Sequence, residues 1–153
     1  MSPTSHEADL RISRSITVAA PAATIFAILT DPRRHHETDG SGTVRRAVDG
    51  PERLTMGSRF GMSMRLGLPY RVHNTVVEFE PDRLIAWRHF GGHRWRYELT
   101  AKADGTTLVT ETFDGTHVRG GRAGAALLRA IRAPRRNAVA IEGTLARLKQ
   151  LVE

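Results

Sequence analysis

SITVAAPAATIFAILTDPRRHHETDGSG, residues 15–42, changes its apolar period once and is then interrupted by prolines and glycines. Its first residues complete RISRSITVAA, residues 11–20, where Ile12, Ile16 and Val18 share the even positions. That period of two predicts a half-buried strand. Pro21 then opens a helix, because its missing N–H is not needed in the first turn, and Ile25, Phe26, Ile28 and Leu29 group on one side. Asp31-Pro32 ends that helix and starts a second helical turn with Asp31 as its cap, since a residue before proline avoids helical geometry. Asp39-Gly40-Ser41-Gly42 stops the turn, Gly40 and Gly42 supplying backbone freedom.

From this strand and its two short helices the chain runs into regularly spaced turn signals: Asp49-Gly50-Pro51, Gly67-Leu68-Pro69, Pro81-Asp82, Gly91-Gly92 and Asp104-Gly105. They bound six predicted strands, at 43–48, 58–65, 71–80, 84–90, 94–101 and 106–114. Connections this short produce an antiparallel meander. Phe60, Met62 and Met64 share one face, as do Trp95, Tyr97 and Leu99, while Arg94, Arg96 and Glu98 point the other way. A sheet polar on one face needs cover on the other. From Gly124 onward, Leu127, Ile131, Pro134, Ala138, Ile141, Leu145, Leu148 and Val152 recur at spacings of four and three, the stripe of one long helix that Pro134 kinks or splits. A curved sheet on such a helix, with short helices at one end, leaves an elongated, mostly apolar cavity.

The 153 residues suit one domain, read as 11–153 after a disordered segment over 1–10. There is no cysteine, which excludes a disulfide framework, a thiol nucleophile and a Cys-ligated zinc or iron–sulfur site, and fits a cytoplasmic protein. The polar N-terminus lacks the apolar core of a signal peptide, and no apolar run is long enough to span a bilayer, so neither export nor membrane insertion is expected. Net charge is +7, and no acid lies between Asp114 and Glu142, where Arg119, Arg122, Arg129, Arg132, Arg135 and Arg136 fall. This reads as a solvated basic helix face, with an acidic protein partner or an anionic membrane surface left open. The run contains no aromatic residue, so specific nucleic-acid binding is not expected.

SITVAAPAATIFAILTDPRRHHETDGSG, MGSRF, VVEFEPDRLIAWRH, WRYELTAKADGTTLVTETFD and LARLKQLVE occur in the order and spacing of a known group. Over most of residues 12–153 the chain resembles the SRPBCC or START-like superfamily, and within it the polyketide cyclase/dehydrase and lipid-transport family. The resemblance implies an α+β helix-grip fold: a seven-stranded curved antiparallel sheet wrapped around a long C-terminal helix, with two short helices after the first strand. Members include ligand carriers, aromatic polyketide cyclases, hormone receptors and toxin–antitoxin partners, so membership alone does not choose an activity. Relatives often carry tryptophan or another apolar residue soon after the Asp-Pro pair. His35-His36 stands there in this chain, which implies a more polar cavity floor or mouth.

Adjacent histidines on a helix point about 100° apart, so His35 and His36 cannot easily share a metal from that helix alone. Both are expected on an exposed or rim-facing turn, and no metal or cofactor motif is present: neither a P-loop nor a dinucleotide fingerprint occurs. If Val77 and Phe79 face inward, alternation turns His73 inward as well; the same reasoning from Ile85 and Trp87 places His89 inside, and from Val109 and Phe113 places Glu111 inside. His73, His89 and Glu111 are therefore the candidate acid/base residues. Phe60, Met62, Met64, Tyr70, Trp87, Trp95, Tyr97 and Phe113 are the candidate cavity wall, with Leu127 and Ile131 contributed by the helix stripe. The expected function is binding of a small hydrophobic or aromatic ligand. The alternatives are a polyketide cyclase or dehydratase using the His/Glu set, and an interaction module whose basic C-terminal helix meets an acidic protein partner; a homodimer is the other partner left open.

Overall fold

The computed structural model describes residues 10–130 and 133–153. Strand β1 (Arg11–Val18) leads into α1 (Ala22–Leu29), a 3-10 turn (Pro32–Arg34) and α2 (His35–Thr38). Six strands follow: β2 (Val44–Asp49), β3 (Arg59–Leu66), β4 (Leu68–Glu80), β5 (Leu84–His89), β6 (Arg94–Ala101) and β7 (Thr107–Asp114). Helices α3 (Gly121–Ala130) and α4 (Ala133–Val152) close the chain. The strands form one antiparallel sheet in the order β1-β7-β6-β5-β4-β3-β2. The later six are the expected meander, and β1 lies against β7, with Ile16 opposite Val109. The two short helices thus carry the chain from one edge of the sheet to the other. The β2 edge has two register shifts, a feature that discourages further strand addition.

The core lies between the concave face of the sheet and the helices. Ile25, Phe26, Ile28 and Leu29 of α1 are buried, and so are Ile141, Leu145 and Leu148 of α4, whose spacing of four and three keeps them on one face. Asp31 caps the turn after α1: its Oδ1 accepts from the backbone N–H of Arg33 at 3.0 Å. Gly40 is required by proximity rather than by an unusual dihedral. A Cβ there would overlap the Ala140 carbonyl and the Thr144 nitrogen of α4, and its own N–H donates to Thr144 Oγ1 at 3.0 Å. This contact seats the end of the short-helix segment on the C-terminal helix.

Three expectations need correction or restriction. The register of β4 against β5 slips between Val76 and Glu78, so Val76 and Phe79 both reach the core although they are three residues apart. Before that bulge the inward residues are Val72, Asn74 and Val76, and His73 is exposed on the outer face. The C-terminal stripe does not run through as one face either: Leu127 is 62% exposed, and Leu128 is the α3 residue against the body, beside Gly115. Within the last helix the stripe is kept by Ile141, Leu145 and Leu148, and it does not extend to Leu127; Pro134 lies inside the helix range Ala133–Val152. Ile131 and Arg132 lie outside the described residues, as does the segment 1–9; Leu10 is buried, and its carbonyl accepts from Gly115 N–H at 2.9 Å.

Candidate functional site

A cavity of about 270 Å³ lies between the concave face of β3–β7, the segment around α2, and the N-terminal half of α4. Strand alternation brings Phe60, Met62 and Met64 to it from β3, Trp87 and His89 from β5, and Trp95 and Tyr97 from β6. Tyr70 lines its outer part and Glu111 its inner part. Phe113 also faces the concave side but is covered: Trp95 crosses its ring at 5.1 Å and His93 lies 5.6 Å away, so it supports the wall from behind. His73 and Leu127 do not line the cavity.

Trp87 is the centre of the aromatic wall. His35 stacks on it with ring centres 5.0 Å apart, Phe60 meets it edge-on at 5.6 Å, and Tyr97 is tilted against it at 5.5 Å. His35 is therefore inside, contrary to the expectation of a rim position, and only His36 is exposed. The 100° between adjacent helical side chains sends one histidine outward and the other toward the sheet. His35 Nε2 is 2.9 Å from the Leu29 carbonyl, an acceptor, so Nε2 carries the proton and donates. Burial lowers the pKa of His35 and favours the neutral ring.

The polar groups of the interior are neutral at pH 7. Glu111 is 2% exposed, and burial pushes its pKa up to about 8. Tyr97 Oη donates to Glu111 Oε1 at 2.7 Å, while Oε2 is buried without a partner. The Tyr97 phenol is itself held well above its ordinary pKa by burial and by the adjacent carboxyl, so it remains the donor and the carboxyl proton belongs on Oε2. His89 and His93 stack with ring centres 4.5 Å apart, and burial lowers their pKa values to about 3 and about 4. Asn74, opposite His89 in the sheet, is 3% exposed and lines the cavity with Oδ1 buried and unpartnered. The bulge gave it the place that alternation had assigned to His73.

At the rim, Asp39 is committed to the loop: its carboxylate accepts from the N–H groups of Ser41 and Val44, each at 2.9 Å. Arg136 of α4 is the one arginine or lysine among the described residues lining the cavity. Sequence reading had placed it only in the basic run. Among the described residues no three His, Asp or Glu side chains converge as a metal-binding set, and no helix is long and apolar enough to cross a membrane.

A concave sheet gripping a helix around an aromatic cavity defines a helix-grip ligand-binding domain. Residues 9–153 match the family described as polyketide cyclase / dehydrase and lipid transport, and the chain belongs to that family. It is 48% identical over 140 residues to the uncharacterized protein Rv0088 of Mycobacterium tuberculosis, a match covering 90% of this chain and 62% of that protein. The chain thus spans about three fifths of the length of the curated relatives it matches. Among solved structures, Ms6760 from Mycobacterium smegmatis shares the fold with a TM-score of 0.67 at 19% identity, over 95% of this chain and 94% of that one. The di-domain ARO/CYC StfQ from the steffimycin biosynthetic pathway superposes with a TM-score of 0.60 at 16% identity, over 95% of this chain and 52% of StfQ.

Proposed function

We propose that this domain binds one small, largely apolar molecule, lipid-like or aromatic and polyketide-like, with a neutral hydroxyl or carbonyl at its buried end. The observation that carries the proposal is the pair of orphaned oxygens, Glu111 Oε2 and Asn74 Oδ1, in a cavity otherwise walled by aromatic and thioether side chains. Leaving a buried polar group unsatisfied costs about 1–3 kcal/mol, which a ligand regains by bonding to it. Protonated Glu111 would donate from Oε2 to a ligand oxygen, and Asn74 Oδ1 would accept from a ligand hydroxyl. Apolar burial, at roughly 25 cal/mol per Å², would supply the rest of the affinity. An anionic group is disfavoured at the inner end, where a carboxyl already stays protonated; it would sit at the rim beside Arg136. Membership of a family described by polyketide cyclisation and lipid transport supports the same ligand class.

The test is a titration, followed by tryptophan fluorescence, with pairs of polycyclic aromatic compounds that differ by one hydroxyl. Both tryptophans of the chain line the cavity, so occupancy should change their emission. The hydroxylated partner should bind about tenfold more tightly, and Glu111→Leu should erase that preference. Absence of binding, or a preference untouched by Glu111→Leu, would count against the reading.

One observation favours a second reading, an enzyme of the cyclase or dehydratase type. A carboxyl with a pKa of about 8 is suited to proton transfer near neutral pH. In that case Glu111 would be the acid/base, with Tyr97 fixing its orientation. His89 would be a weak base because its conjugate acid forms only near pH 3, and His73 lies outside the cavity. Glu111→Gln would then abolish turnover while leaving ligand affinity within a few-fold; a carrier has no turnover to lose.

A further inference from the structure

The hairpin of β3 and β4 carries the apolar face of the cavity past the end of β5 to an exposed tip. β4 pairs with β5 only as far as Asn74 opposite His89, and the six residues from Leu68 to His73 continue past that point beside β3 alone. At about 3.3 Å per residue β4 runs roughly 20 Å past the end of β5. β2 still flanks β3 as far as Met64, and Met62, Met64 and Val72 are buried, so the part of the hairpin that projects is the tip around Leu66 and Leu68. Along its concave side exposure rises outward, from 3% at Met62 through 41% at Tyr70 to 57% at Leu66 and 78% at Leu68. Tyr70 and Leu66 still line the cavity, so the exposed apolar surface is the outer lip of its mouth. Arg65 and Arg71, both exposed, lie on the opposite side of the same ribbon.

The β5–β6 turn lies at the same end of the sheet and exposes Phe90. It is tied to the start of the basic region, because Arg119 N–H donates to the Gly91 carbonyl at 2.7 Å. Arg119 and Arg122 are exposed there, in a stretch of sequence without an acid from Gly115 to Ile141. Apolar side chains and arginines therefore share one end of the sheet, the end at which Leu66 and Tyr70 line the cavity.

Resting on the ligand-binding reading above, we propose that this lip docks on the surface of an anionic lipid bilayer. Leu66, Leu68 and Tyr70 enter the headgroup boundary, the arginines meet lipid phosphates, and the cavity opens toward the membrane from which a poorly soluble ligand comes or to which it goes. Apolar contact combined with basic charge is what interfacial binding requires. A second copy is a poor occupant, because pairing two lips would bring like arginines together on chains of net charge +7.

The experiment is co-sedimentation of the full chain with vesicles of phosphatidylcholine, alone or mixed with phosphatidylglycerol. The wild type should pellet with the mixed vesicles, weakly with phosphatidylcholine, and less as salt rises. Leu68→Asp, at an exposed position that does not line the cavity, should reduce partitioning about tenfold while leaving thermal stability unchanged. Arg65→Glu with Arg71→Glu should do the same. Failure of the wild type to bind mixed vesicles overturns the proposal, as does a Leu68→Asp variant that binds like the wild type, which would signify charge attraction alone. Capture by polyglutamate without vesicle binding would point instead to an acidic protein and also overturn it. Ligand titration in vesicle-free solution is read separately, so failure of the cavity and failure of the lip are distinguishable.

Discussion

Tyr97 donates its hydroxyl to Glu111 across the β6–β7 pair at 2.7 Å, leaving the second carboxyl oxygen buried and free to meet a ligand. This bond orients the carboxyl without ionising it: burial outweighs the hydrogen bond, and the pKa rises from 4.5 to about 8. A neutral carboxyl can donate from its free oxygen, which an ionised one cannot do.

Stability should pass through a maximum near pH 6.5. Glu111 has a raised folded pKa, so its contribution is fully present below about 4.5 and is lost as pH rises through about 8, at most on the order of 5 kcal/mol. His89 and His93 have lowered folded values, about 3 and about 4, so their contribution is present above 6.5 and is lost as pH falls. Between 4.5 and 6.5 the two histidines outweigh the one carboxyl. Urea unfolding across this range should show the maximum, and Glu111→Gln should flatten the decline above it.

Gly40→Ala should destabilise the fold by about 1–3 kcal/mol, because the added methyl meets backbone of α4 rather than a movable side chain. Gly42→Ala meets open space, so its cost comes from the positive φ of 73° instead. The diagnostic difference is in binding. Only Gly40→Ala pushes α4 away from the segment that carries Asp39 and Ser41, and only it should weaken ligand affinity strongly.

The two adjacent histidines should behave oppositely. His35→Ala removes a ring stacked on Trp87 and a donor to the Leu29 carbonyl, and should cost about 1–3 kcal/mol while altering tryptophan emission. His36→Ala should stay within about 0.5 kcal/mol of the wild type, as expected for an exposed side chain. Equal effects in thermal unfolding would contradict the inward placement of His35.

Around the β4 bulge, Asn74→Ala and His89→Ala should each weaken ligand binding several-fold, whereas His73→Ala should leave it unchanged. Isothermal titration of the three variants with one ligand reads this directly. Loss of affinity in His73→Ala would mean that the register before the bulge is shifted by one residue.

The elements of the fold were legible because each rests on local pattern: the alternation of Ile12, Ile16 and Val18, the Asp31 cap, and the spacing of Ile141, Leu145 and Leu148. Most of the wall followed from alternation, since Phe60, Met62, Met64, Trp87 and Tyr97 lie on strands that keep their register across it. What could not be read depended on contacts between distant segments. Nothing local marks the slip between Val76 and Glu78 that put Asn74 in the place assigned to His73. The stripe of α4 likewise did not extend to Leu127 of α3, which is exposed. Gly40 looked like a flexible turn residue because its partner, α4, lies a hundred residues away. His35 was within reach of sequence reasoning, since the angle between neighbouring helical side chains already forbids two equivalent rim positions.

Native mass spectrometry of protein purified gently from its host, with denaturing extraction of whatever is released, reads directly whether the neutral-ended cavity is occupied. The wild type should carry a mass increment of one apolar or aromatic molecule per chain, bearing a hydroxyl or carbonyl, and a Trp87→Ala, Glu111→Leu double variant that still folds should lose it. A wild type that is empty as isolated, and stays empty after incubation with fatty acids, flavonoids and aromatic polyketides, would contradict the ligand-binding reading.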